Sequence, residues 1–174
     1  YTVSKLKRGV ANYKHEDGHN VISVKGTDVK QKKDLISDIK LGLGFSNSDK
    51  QFKQRRNDIK NIIKTNDGDN YLTGHSLGAS ISTSAMVKSK SIRDNIKKAD
   101  VFNTGYTKAF HDEMSGGLTK SDKKEIKQKL THHRTKGDVI SNALASNNIG
   151  EVKTYKQESK TNPLANHSLE SIIE

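Results

Sequence analysis

The chemistry of this chain is concentrated in Gly74-His75-Ser76-Leu77-Gly78, which stands between the short apolar run Asn70-Tyr71-Leu72-Thr73 and a small-residue stretch from Ala79 to Lys88. A serine hydroxyl becomes a nucleophile only when a base takes its proton, and it must stand clear of the backbone to reach a carbonyl carbon. A tight turn from strand to helix supplies that exposure. It forces the serine into a strained backbone conformation and leaves no room for side chains two positions away on either side, which is why Gly74 and Gly78 flank Ser76. The helix that follows directs its first amides at the site, so the Leu77 N–H is positioned to hold an oxyanion. His75 occupies the variable position of the pattern and reads as a packing or hydrogen-bonding neighbour of the serine, not as its base. The pattern Gly-x-Ser-x-Gly alone is weak; strand, turn and helix in register strengthen it.

Such a turn needs a sheet behind it. Upstream, Gly9 to Lys14 and Asn20 to Val24 read as two strands of a hairpin joined by Glu16-Asp17-Gly18. Leu35, Ile36, Ile39 and Leu41 suggest a short helix ending near Gly42 or Gly44. From Ser48 to Thr65, Phe52, Ile59, Ile62 and Ile63 share one face of an amphipathic helix. Further strands are expected at Ala99 to Asn103, Gln128 to Arg134 and Glu151 to Tyr155. This alternation predicts an α/β fold: a mostly parallel central sheet with an N-terminal hairpin, and helices on both faces.

The 174 residues fit one domain by the usual size prior. The chain starts at Tyr1 rather than Met, which suggests trimming or excision from a longer protein, and its first residues do not resemble a signal peptide. No apolar run reaches the roughly 20 residues of a membrane span. Cysteine is absent, so disulfides and thiolate metal sites are excluded, and the redox compartment stays open. The histidines lack a two-ligand helical spacing with carboxylate support, so no metal is expected, and the proposed chemistry calls for no cofactor. A formal charge of +11 would attract polyanions, but the lysines are scattered and the few aromatics do not interleave with them, so no specific nucleic acid is expected. An anionic membrane surface is the partner the charge fits. Abundant Lys, Asn, Ile and Ser suit an AT-rich genome, microbial or viral, which leaves secretion or virion association open; oligomeric state is not readable.

Leu72-Thr73-Gly74-His75-Ser76-Leu77-Gly78-Ala79 resembles the nucleophile elbow of the class 3 lipase family, whose members are α/β-hydrolases. Val21 to Asp28, followed by Asp34-Leu35-Ile36-Ser37-Asp38-Ile39, is similar to that family's strand, Gly-Ser/Thr oxyanion loop and Trp-Leu-x-Asp-Leu segment. The resemblance runs from about residue 9 to residue 172. It implies an oxyanion hole built from Thr27 and the Leu77 amide. Leu35 replaces the usual tryptophan and Ala79 a frequent third glycine, and the segment from Asp28 to Ser48 leaves space for only a short lid, or none.

In α/β-hydrolases the order along the chain is nucleophile, acid, base, so the resemblance leaves His111, His132, His133 and His167 as candidate bases. Lys136-Gly137-Asp138-Val139-Ile140 resembles the family's Asp-x-Val acid loop, which assigns Asp138 as acid and leaves His167, in Asn166-His167-Ser168-Leu169, as base. A competing pair is Asp122 with His132 or His133, adjacent strand residues that point to opposite faces. The implied function is hydrolysis of carboxylic esters of lipids, by a triacylglycerol lipase or a phospholipase/esterase, through an acyl-enzyme on Ser76. The rivals are a lipase-fold binding or structural module with little turnover, and a nucleic-acid-associated protein favoured only by charge.

Overall fold

The computed structural model describes residues 1–26, 50–141, 149–156 and 165–167. The expected helix at residues 35–41 and the oxyanion residue Thr27 lie outside them. Seven strands form one sheet in strict chain order: β1 (Thr2–Lys7), β2 (Val10–Lys14), β3 (Asn20–Val24), β4 (Asn70–His75), β5 (Ile96–Phe102), β6 (Leu130–Thr135) and β7 (Glu151–Tyr155). The first three pair antiparallel, and β3 through β7 pair parallel. The expected α/β fold with its N-terminal hairpin is therefore present, extended by an additional edge strand, β1.

The helices are α1 (Lys50–Thr65), α2 (Leu77–Lys88), α3 (Lys90–Asn95), α4 (Lys108–Ser115) and α5 (Lys120–Lys129), with a short 3-10 turn at Ala165–His167. Every parallel step moves the same way across the sheet, so right-handed crossovers place their helices on a single face. Burial agrees. In β4, Asn70, Leu72 and Gly74 are buried while Tyr71, Thr73 and His75 are half-exposed, and β3 alternates in the same way. Phe52, Ile59 and Ile62 of α1 join Ile22, Leu72, Ala99 and Val101 in one core. Among the described residues, the expectation of helices on both faces is thus met on one.

Helix α2 lies deepest. All of its residues from Leu77 to Val87 are buried, which explains its composition of Ala, Ser, Gly and Thr: small side chains let it lie close against the parallel strands. Asp58, on the buried side of α1, is matched by a two-pronged ion pair from Arg8 at 2.8 and 2.5 Å, which fixes the β1–β2 turn against the helix. At the far end Arg93 is buried between Asp122 at 2.6 Å and Glu125 at 2.9 Å, tying α3 to α5.

Candidate active site

Strand β4 ends at His75 and α2 begins at Leu77, so Ser76 alone makes the turn. Its backbone sits at φ 56° and ψ −123°, a region that costs a non-glycine residue about 1–3 kcal/mol. The surrounding packing holds it there. A Cβ on Gly78 would lie 2.1 Å from the Val24 carbonyl oxygen, and one on Gly74 would lie 2.6 Å from the Gly78 backbone, so strand and helix meet backbone to backbone. The Ser76 amide donates to the Phe102 carbonyl at 3.0 Å, and the Ser76 carbonyl accepts from the Ser80 amide at 3.1 Å and the Gly105 amide at 3.3 Å. Ser76 is thereby pinned to β5 and to the loop beyond it.

Two further chain segments converge on the serine. After β6, Asp138 lies in a turn where its amide donates to the Thr135 carbonyl at 3.2 Å and its carboxylate accepts from the Ile140 amide at 3.0 Å. Asp138 is fully buried. His167, in the 3-10 turn, faces it: Nδ1 stands 3.1 and 3.0 Å from the two carboxylate oxygens, and Nε2 stands 2.7 Å from Ser76 Oγ. A carboxylate accepts only, so Nδ1 carries the proton and Nε2 presents its lone pair to the serine hydroxyl. Hydroxyl, imidazole and carboxylate form one buried relay across residues distant in sequence.

His75 and Asn103 hold the segment that carries His167. His75 Nε2 donates to the His167 carbonyl at 2.6 Å, and the two rings lie 5.1 Å apart. Burial pushes the His75 imidazole below its usual range, leaving it a neutral donor. Asn103 Oδ1 accepts from the Thr135 amide at 2.9 Å while its Nδ2 donates to the Asn166 carbonyl at 3.2 Å, strapping the His167 turn to β6. The sequence suggests a hydrogen-bonding role for His75 without naming its partner, and it does not reveal Asn103. That residue's only sequence signal is an asparagine directly after a strand, where it tolerates a positive φ of 41°.

The competing assignments have other partners. Asp122 caps α5 through Thr119 and pairs with Arg93. His132 is buried between the Thr104 hydroxyl at 2.9 Å and the Ile149 carbonyl at 2.9 Å. His133 bonds Asp100 and Tyr155, and His111 bonds Tyr106 at 3.0 Å. None of these groups touches Ser76 in the described contacts.

Beside the elbow is a cleft of about 560 Å³ lined by Leu6, Ala11, Tyr13, Val24 and Phe102, with Gly26, Gly74 and His75 at its inner end. Gly26 lies against the turn, since a Cβ there would be 2.7 Å from the His75 carbonyl oxygen and 3.5 Å from Ser76 Cβ.

Comparison with known families places most of the chain in one family. Residues 6–168 match a family model described as a phospholipase-like, Tle-like phospholipase domain. The chain belongs to that family, which makes it a lipid ester hydrolase domain in general terms. The match supports the lipase/phospholipase side of the sequence resemblance without singling out class 3 lipases. No curated protein matches the chain. No helix among the described residues is long and apolar enough to cross a membrane.

Proposed function

We propose that the protein is a serine hydrolase that cleaves carboxylic esters of lipids, triacylglycerol or phospholipid acyl esters, through an acyl-enzyme on Ser76. The observation that carries this reading is the Ser76–His167–Asp138 relay hung on a strained turn at the N-terminus of a buried helix. Ser76 Oγ attacks the ester carbonyl carbon while His167 Nε2 takes its proton, and Asp138 stabilises the imidazolium that results. The carbonyl oxygen, now carrying the negative charge, is held by the Leu77 amide, which at the first position of α2 has no intrahelical acceptor. Thr27 is the proposed second donor; its neighbour Gly26 already lies against the turn. Collapse of the tetrahedral intermediate expels the alcohol, which receives the proton from His167. Water, deprotonated by the same imidazole, then attacks the acyl carbon and releases the fatty acid.

The apolar cleft beside the elbow suits an acyl chain. Exposed Leu6 and Lys25 both line it, an apolar side chain and a cation that fit an anionic lipid surface. The test compares turnover of short and long p-nitrophenyl esters by wild type and by Ser76→Ala, with the fold of both checked by circular dichroism. Activity that rests on Ser76, together with labelling by a fluorophosphonate, supports the proposal. A folded wild type with neither turnover nor labelling refutes it and leaves the binding-module reading. Vesicle binding that ignores ionic strength would remove the anionic-surface part alone.

A further inference from the structure

The turn between β2 and β3 carries His15, Asp17 and His19, whose possible ligand atoms all lie within 4.8 Å of one another. The Asp17 carboxylate oxygen stands between two imidazole nitrogens, 3.0 Å from His15 Nδ1 and 2.5 Å from His19 Nδ1. The two rings stack at 4.6 Å and 15°, so joint ligation tilts the rings until their in-plane Nδ1 lone pairs meet. We propose that this turn binds a zinc-class divalent transition-metal ion through His15 Nδ1, the Asp17 carboxylate and His19 Nδ1.

The chemistry of the donors fits. Ligand atoms around a tetrahedral zinc ion, with bonds of about 2.0–2.2 Å, stand about 3.3 Å apart. The present separations therefore need changes of a few tenths of an ångström up to about 1.5 Å. His15 Nδ1 accepts from the Asp17 amide at 3.3 Å, a long hydrogen bond that ligation replaces with the bond to the ion. His19 Nε2 lies 2.7 Å from the Tyr1 hydroxyl. When His19 Nδ1 ligates, its proton resides on Nε2 and is donated to that hydroxyl, the outer support that metal-bound imidazoles generally have. An adjoining cleft is lined by Asp67, by Asp69, which pairs with Lys97, and by Lys14.

The spacing His-x-Asp-x-His occurs here on a hairpin turn rather than a helix, which is why a search for helical ligand spacing passes over it. The site lies far from Ser76: β3 and β4 begin together at the Asn20–Asn70 pair, and Ser76 follows the sixth residue of β4, about 20 Å along the strand. The ion is structural. It joins the β2–β3 turn to Tyr1 beside β1 and, through the edge contact of His19 with Tyr71, to β4.

The test adds Zn2+ alone to chelator-treated protein and follows binding by calorimetry, thermal midpoint and the imidazole nitrogen resonances. Expected are one equivalent bound, a higher midpoint through preferential binding to the folded state, and metal-induced shifts confined to His15 and His19. His15→Asn or His19→Asn should weaken binding by roughly tenfold or more, while His111→Asn leaves it unchanged. No binding by wild type, equal binding by the two turn variants, or shifts at other histidines would overturn the site. The resonances are read on the wild type, so they decide the matter even where a variant misfolds.

Discussion

His167, in the 3-10 turn, and His133, on β6, each stand between a carboxylate and a hydroxyl, as His19 does at the β2–β3 turn. His167 bridges Asp138 at 3.0 Å and Ser76 Oγ at 2.7 Å; His133 bridges Asp100 at 2.7 Å and the Tyr155 hydroxyl at 2.7 Å. As hydrogen-bond diagrams they are nearly the same. They differ in what surrounds the hydroxyl. Ser76 sits at a positive φ, with a helix N-terminus beside it and an apolar cleft next to it. Tyr155 ends an exposed edge strand, and its ring stacks on His133. A relay can move a proton, but acyl transfer also needs a protruding alkoxide precursor and amides aimed at the developing oxyanion. Ser76 has a positive-φ turn and a helix N-terminus beside it, and Tyr155 has neither.

The largest effect that tests this contrast is at the buried carboxylate. Asp138→Asn preserves shape but can donate to Nδ1, which favours the tautomer with the proton on Nε2 and removes the base facing Ser76. The kcat for ester hydrolysis should fall by about 10³- to 10⁴-fold with little change in KM. Retention of activity within tenfold would mean that Asp138 does not orient the base.

A second effect separates the neighbours His132 and His133. Burial pushes the His132 imidazole down to about 4, so the folded protein holds it neutral where the unfolded chain, with an ordinary value near 6.5, takes up a proton. Between these values the unfolded state binds the extra proton. Stability therefore rises with pH across that window, and acidification from about pH 6.5 to 4 costs about 3 kcal/mol from this group. Urea midpoints measured through the window should show that slope, and His132→Gln should flatten it. The same change at His133 should leave it in place.

The third concerns the residue that holds the base. His75→Phe deletes the bond to the His167 carbonyl while keeping an aromatic ring in place. Loss of one hydrogen bond of about 1 kcal/mol, with Asn103 still strapping Asn166, should lower kcat by about fivefold and leave KM nearly unchanged. A change in KM alone would move His75 from positioning the base to binding the substrate.

What sequence could and could not reveal follows from the same physics. The elbow is readable because its two glycines stand at a fixed local spacing around Ser76, although the contact that demands Gly78 is with the distant Val24 carbonyl. Strand β3 and the end of α1 were readable from alternation and periodicity. Helix α5 was not: in Lys-Ser-Asp-Lys-Lys-Glu-Ile-Lys-Gln-Lys only Ile126 is buried, and its real signature is the Thr119–Asp122 capping box. The helix runs through Gln128 and Lys129, so β6 begins at Leu130 and not at the expected Gln128, and Asp122 serves the cap. Strand β1 escaped because all six of its residues are exposed and a register shift between Val3 and Lys5 breaks its alternation. Asp138 and His167 were found by resemblance rather than spacing. Their contact spans 29 residues, and no local pattern encodes it.

The smallest effect is the sharpest test of the comparison. If a hydrogen-bonded trio were enough to carry chemistry, Tyr155→Phe would cost activity as a change at Ser76 would. The phenol belongs to an edge strand, and its loss exchanges one partly exposed hydrogen bond for water, worth about 0.5–1.5 kcal/mol. Asp100 remains to hold His133, and the packing of His133 on Phe102 and of Phe carbon on the ring persists. Ester turnover by Tyr155→Phe should therefore stay within about twofold of wild type, and the thermal midpoint should drop by a few degrees at most. A loss of activity with the fold intact would place the second relay in the reaction and dissolve the distinction between the two sites. An unchanged rate assigns the difference to the elbow: the strained serine and the helix amides beside it, not the imidazole–carboxylate pair alone.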